Sequence, residues 1–175
     1  MKLVQVNKHI VTSGNETQVV KFTGISDNSV YMLVLNNVNV GADGGICDLQ
    51  PTTSGTVDTT NNIAIAWTLV RANNTYQNFG NTPQDIFRFT DGMSTAPASL
   101  NAMAFLYNWF DANEYSYVTI QPAYNHATEG VRGHIQAGVK KEQTSHDGIN
   151  INTNQSGGGG FQAGSTFVLY KVDST

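Results

Sequence analysis

The segment Asn62–Arg71 reads NIAIAWTLVR, and its side chains alternate in size with a period of two. Ile63, Ile65, Trp67 and Leu69 fall on one side of an extended chain, and Ala64, Ala66 and Thr68 on the other. A helix repeats every 3.6 residues and would scatter both sets around its surface, so the pattern points to a strand. The large face is expected to enter a core. The small face either lets another layer or subunit come close or sits under an aromatic neighbour.

Similar short runs extend along the chain. Leu3–Val11, Gln18–Thr23 and Ser29–Val38 read as strands, the third apolar on both faces as a central buried strand would be. Val40–Thr60, with GADGG and PTTSGT inside it, reads as a long turn-rich segment. Asp85–Thr90 alternates again. Leu100–Phe110 fits a helical stripe through Leu100, Met103, Tyr107 and Phe110, or a strand face through Met103, Phe105, Tyr107 and Trp109; the strand is favoured. DANE then makes a turn, and Tyr115–Tyr124 returns as the second arm of a hairpin, with Pro122 marking a free side or a bulge. Gly133–Lys141, Gly148–Asn152 and Phe161–Val172 read as the last three strands. Gly157–Gly160 join the final two, where tight or left-handed backbone favours glycine. No linker divides the chain, so residues 1–175 are expected to form a single all-β, antiparallel β-sandwich domain.

Composition supports that class. Charged residues make up only 13%, against about 25% in ordinary soluble domains. Asn, Thr, Ser, Gln and Gly therefore supply the polar surface, and they compete with a helical backbone for hydrogen bonds. The 175 residues suffice to bury roughly 70% of the unfolded surface without a disulfide or metal. A net charge of −4 and a pI near 5.4 lack the basic footprint that phosphate backbones require, so nucleic acid is not an expected partner. No apolar run is long enough for a membrane helix, so no membrane partner is expected either. The opening MKLVQVNKHIVTSG makes a better first strand than signal peptide. Cys47 is the lone cysteine, which fits a reducing cytoplasm. With no Lys, Arg or His beside it, it reads as an inert small residue.

No catalytic, cofactor-binding or metal-ligating set emerges. The chain has no GxSxG, GxxxxGK[ST] or HExxH. His9, His126, His134 and His146 match no compact metal spacing, although strand pairing would be able to bring His134 and His146 together beside Asp147. Asp43, Asp48, Asp58 and Asp91 sit among Gly and Thr and read as turn caps, without the alternation of a calcium loop. Asp111 and Glu114 bracket a turn and would be too wet for a glycosidase pair. Trp109, Phe110, Tyr115, Tyr117 and Tyr124 crowd one hairpin and cannot all face one core. Trp109, Phe110, Tyr115 and Tyr124 are the candidate contacts for a subunit interface or a sugar ring.

The end of the chain, FQAGSTFVLYKV, resembles the closing strand of small jelly-roll virion proteins of tailed bacteriophages, in which a glycine-containing loop precedes G-[ST]-x-[aromatic or aliphatic]-x-LYG. Gly164, Ser165, Leu169 and Tyr170 fit, while Lys171 stands where that family often has glycine. YMLVLNNV, the following DGG, and GVKK before GININ resemble its earlier elements in order. The resemblance implies a jelly-roll fold and a non-enzymatic structural role in the virion after synthesis in the host cytoplasm. The leading expectation is a homotrimeric head decoration, or cement, protein that binds the major capsid protein and clamps neighbouring capsomers. A glycine loop that projects and adapts to a neighbour belongs to that expectation. The alternative is a tail-fibre or receptor-binding module that holds host glycan; strands that start almost at Met1 favour decoration.

Overall fold

A computed structural model describes residues 2–72, 75–97, 100–154 and 159–173. Its strands, in chain order, are β1 (Lys2–Ile10), β2 (Val19–Thr23), β3 (Val30–Val38), β4 (Cys47–Thr53), β5 (Thr56–Val57), β6 (Ile63–Arg71) and β7 (Tyr76–Gln84), followed by β8 (Phe87–Arg88), β9 (Leu100–Tyr107), β10 (Ser116–His126), β11 (Gly130–Lys140), β12 (Gly148–Thr153) and β13 (Thr166–Asp173). The chain is all-β, with no helix among the described residues, and every strand pairing is antiparallel.

The pairings are nested. β1 pairs with β13, β2 with β12, β3 with β9 and β4 with β8. Two hairpins interrupt the nest: β6–β7, inserted between β4 and β8, and β10–β11, inserted between β9 and β12. They join through β11 and β6, which widens one sheet to the order β1-β13-β3-β9-β10-β11-β6-β7. The smaller sheet runs β2-β12-β4-β5, with β8 also on β4. The two sheets share one core, in which Phe22, Leu49, Ile149 and Ile151 of the small sheet meet Leu33, Leu106, Ile120 and Leu169 of the large one. Ile63 and Ile65 are buried there and Trp67 packs against its margin, so the large face of β6 enters the core as expected.

The segment read as turn-rich, 40–60, instead contains β4, a central strand of the small sheet. Its polar side chains find partners inside. Arg88 Nε donates to Asp48 at 3.1 Å, and the side-chain amides of Asn150 and Asn152 donate to Gln50 Oε1 at 3.3 and 3.1 Å. Asp48 is therefore a buried strand residue rather than a turn cap. β7 was not foreseen either, because YQNFGNTPQ has no β-branched apolar residue. Pro122 lies in β10, which is paired on both sides, at a point that the register with β11 skips.

The glycine segment departs from its reading. Gly157 and Gly158 lie outside the described residues, but Gly159 and Gly160 are buried rather than projecting. A Cβ on Gly160 would sit 2.8 Å from the Thr17 carbonyl oxygen, and one on Gly41 would sit 3.1 Å from Gly159 Cα. Close backbone approach demands glycine here. A left-handed turn is instead served by Gly164, at φ +91°.

Candidate functional site: the outer face of the large sheet

The side of the large sheet turned away from the core can be read row by row from the register. The middle row runs Gln5, Tyr170, Met32, Phe105, Thr119, Ala137, Ala66, Gly80 across all eight strands. On one side of it lie Lys8, Val168, Val34, Met103, Gln121, Ile135, Thr68 and Asn78. On the other lie Leu3, Val172, Val30, Tyr107, Tyr117, Val139 and Ala64. Lys8, near one edge, is the one charged side chain in these rows. Met32 and Val168 are well covered yet stand outside the core cluster, as residues of a curved outer face would.

Strands about 4.8 Å apart and a two-residue repeat of about 6.7 Å give this three-row band roughly 700 Å². Gln5, Thr68, Asn78, Thr119 and Gln121 interrupt its aliphatic and aromatic residues, so the band is largely uncharged rather than one continuous apolar patch. Met103, Tyr117 and Ile135 remain exposed on the band, Ile135 at 66%.

Small residues cut a trough into it. Thr119, Ala137 and Ala66 are aligned in register and make a floor, Met103, Phe105 and Tyr107 make a wall on β9, and the concavity holds about 570 Å³. The small face of β6 thus points outward, where another layer or subunit would meet it.

Charge lies beneath the band instead. β11 buries Arg132, His134, Gln136 and Lys140 and turns Val131, Ile135, Ala137 and Val139 outward. Lys140 is fully buried; its Nζ lies 2.6 Å from Asp58 Oδ2, 2.5 Å from Thr60 Oγ1 and 3.6 Å from Glu142 Oε2. Burial alone would raise the pKa of Asp58, but Lys140 and Thr60 outweigh it and hold the carboxyl low. Toward the other end of β11, Arg132 Nη1 donates to both oxygens of Asp91 at 2.8 Å, and Nη2 lies 2.5 Å from Glu129, which also meets Arg71 at 3.0 Å. For Asp91 too, burial pushes the pKa up, while the Tyr124 hydroxyl and Arg132 pull it further down. Burial holds His134 neutral, with its pKa lowered to about 4. Arg132 and Lys140 are thus neutralised by internal carboxylates, while the buried side-chain amide of Gln136 has no hydrogen-bond partner among the described residues.

The four aromatic candidates do not form one surface. Trp109 is fully buried, donates from Nε1 to the Gly148 carbonyl at 3.0 Å and packs on Phe87 and His146. Tyr124 is buried with its hydroxyl on Asp91. Both therefore leave the set of surface contacts, since their polar tips already have partners inside. Phe110 is half-buried against the core, and Tyr115 alone of the four is exposed, at the turn that leads into β10. Tyr117 faces outward beside Tyr107 on the band. Met103, Phe105 and Ile135 were missed because nothing in their own runs says which face meets solvent.

Among the described residues, no three His, Cys, Asp or Glu side chains gather as metal ligands would. Asp58 accepts from the Thr60 amide at 2.9 Å and Asp111 from the Asn113 amide at 2.8 Å, both as turn caps, whereas Asp43 accepts from the distant Thr95 amide at 2.7 Å and Asp91 pairs with Arg132, so neither of those two caps its own turn. Cys47 is buried, and burial pushes its thiol pKa well up, away from reactivity. Comparison of the chain with protein-family models, with curated proteins and with solved structures finds no match.

Proposed function

We propose that this protein is a non-catalytic structural protein of a tailed-bacteriophage virion, a head decoration protein that presses the uncharged band of its large sheet against its neighbours. The nested pairing supports a jelly-roll reading. Folding one long antiparallel ribbon on itself pairs first with last, second with next to last, and so inward, as β1–β13, β2–β12, β3–β9 and β4–β8 do. β6–β7 and β10–β11 are then additions that broaden one sheet and carry the trough. The closing strand GSTFVLY, the origin of the resemblance, sits between β1 and β3.

The observation that carries the reading is the band itself. About 700 Å² with a single peripheral lysine approaches the roughly 800 Å² that each partner contributes to a standard interface. Covering it desolvates almost no charge, which is the costly part of burying polar surface. Homotrimers presenting three bands, repeated over a capsid lattice, would multiply individually weak contacts. The test is the copy number of this chain in purified virions by quantitative mass spectrometry, together with occupancy by the Ile135→Glu protein. Decoration predicts copies on the order of the capsomer number and occupancy abolished by the glutamate. A handful of copies per particle, or full occupancy by the variant, would overturn it.

A glycan-binding tail module is the second reading. Aromatic walls at Phe105 and Tyr107 with Thr119, Gln121 and Asn78 around the same trough favour it. Retention of purified protein on a glycan array, lost with Gln121→Ala, would select it over decoration.

A further inference from the structure

The large sheet ends in two very different edges. β1 carries Lys2 and Lys8 and a bulge between Gln5 and Asn7, which are devices that keep an edge from pairing with strangers. β7 has nine residues and no charge, and eight of the nine are exposed. Among the described residues no strand pairs with its outer side. Its bulge and Pro83 are confined to one end, so Tyr76–Asn81 offers a regular ladder of backbone donors and acceptors. The edges of the small sheet, β2 and β5, are only five and two residues long.

β7 also overhangs. It is exposed on both faces, with Tyr76 at 72%, and it is held by β6 alone. On its core side Phe79 stacks on Trp67 with ring centroids 5.0 Å apart, and Phe79 stays exposed. An edge strand with apolar rings open to water offers surface for another strand to cover.

We infer that β7 pairs antiparallel with β7 of a second copy of this chain, joining two large sheets through a twofold axis. A second copy brings the same uncharged strand, so no like charges meet across the new ladder. It also brings the same Trp67–Phe79 pair, so one symmetric contact completes both the hydrogen bonding and the apolar overhang. A twofold contact uses up the edge on both chains, so association stops there instead of growing into a fibre. This contact uses the strand edge and the core-side overhang, and it borders the outer band at Asn78 and Gly80.

The experiment is sedimentation of the full chain over rising concentration, with hydrogen exchange read at the β7 amides. The mass of the unit present at low concentration is expected to double by about 1 mM, the range of weak contacts. Exchange at 76–81 should slow about tenfold with that doubling while β1 amides do not change. Asn81→Lys should abolish the doubling at unchanged thermal stability, and Ile135→Glu should leave it intact. A wild-type mass that never doubles overturns the inference, as does doubling without protection at β7. Slowed exchange at β7 on virions but never between free copies would assign the edge to another protein's strand and overturn it too. Should the lysine variant unfold, the exchange measurement on the wild type decides alone.

Discussion

β10 and β11 are neighbours in one sheet, yet they bury opposite kinds of side chain. β10 sends Val118, Ile120 and Tyr124 inward and Thr119 and Gln121 outward, the ordinary arrangement for a strand with one wet face. β11 sends Arg132, His134, Gln136 and Lys140 inward and Val131, Ile135 and Val139 outward. Register fixes this inversion. Slipping β11 by one residue would shift its ladders with β10 and β6 together and turn Ile135 toward the core. The difference teaches that the outer face was not left apolar by neglect, since charged side chains were available in the same strand and two of them, Arg132 and Lys140, were spent on internal ion pairs.

The sharpest way to break the comparison is to remove the lysine that the inversion buries. Lys140→Met should cost about 3–5 kcal/mol in urea unfolding, because Asp58 and Glu142 lose their buried counter-charge. Lys140→Met with Asp58→Asn should recover much of it. If the single variant costs less than about 1 kcal/mol, the inward charges of β11 are incidental.

Acid titration separates two buried groups of opposite sign. Native His134 has its pKa lowered to about 4 from 6.5. Its contribution is complete above 6.5 and is lost as pH falls toward 4, up to about 3 kcal/mol. Asp48 behaves inversely. Burial raises it to about 6 in spite of Arg88. Its contribution is complete below the unfolded value near 3.9 and is lost as pH rises through 6, again up to about 3 kcal/mol. Between pH 6 and 4 the two slopes oppose each other. Asp48→Asn should therefore steepen the loss of unfolding free energy on acidification, and His134→Gln should flatten or reverse it.

Gly138 is the next test. A Cβ there would lie 2.6 Å from the Phe87 ring, so Gly138→Ala should cost about 1–3 kcal/mol by overpacking. The smallest effect belongs to the outer face. Ile135→Glu should change the unfolding free energy by no more than about 0.5 kcal/mol. A large destabilisation by that variant would mean that Ile135 supports the protomer itself and would remove the contrast between the two strands.

Much of the fold could be read from the residues. Period-two runs such as IAIAWTL and SYVTIQ carry their own strand signal, and the return arm after DANE pairs as its spacing suggests. β4 and β7 escaped because Asp48, Gln50 and the Asn-rich YQNFGNTPQ lack apolar alternation; their pairing comes from partners far along the chain. The site was less legible. The size alternation of β6 did separate an inward from an outward set, and its small face lies in the trough. Trp109 and Tyr124, by contrast, looked like surplus aromatics only because the carbonyl of Gly148 and the carboxylate of Asp91 cannot be located from sequence. For β11, local amphipathicity points the wrong way, since Val131, Ile135 and Val139 read as the inward set.

The pairing of Lys2 with Asp173 has a mechanical corollary. Tension applied at those two residues would peel β1 from β13 one rung after another, instead of shearing the whole ladder at once. Under a pull at those two positions the sheet margin is thus an unzipping device and a poor tether. Conversely, a label or cargo peptide attached at either position would leave from the same corner, at the opposite margin of the sheet from β7.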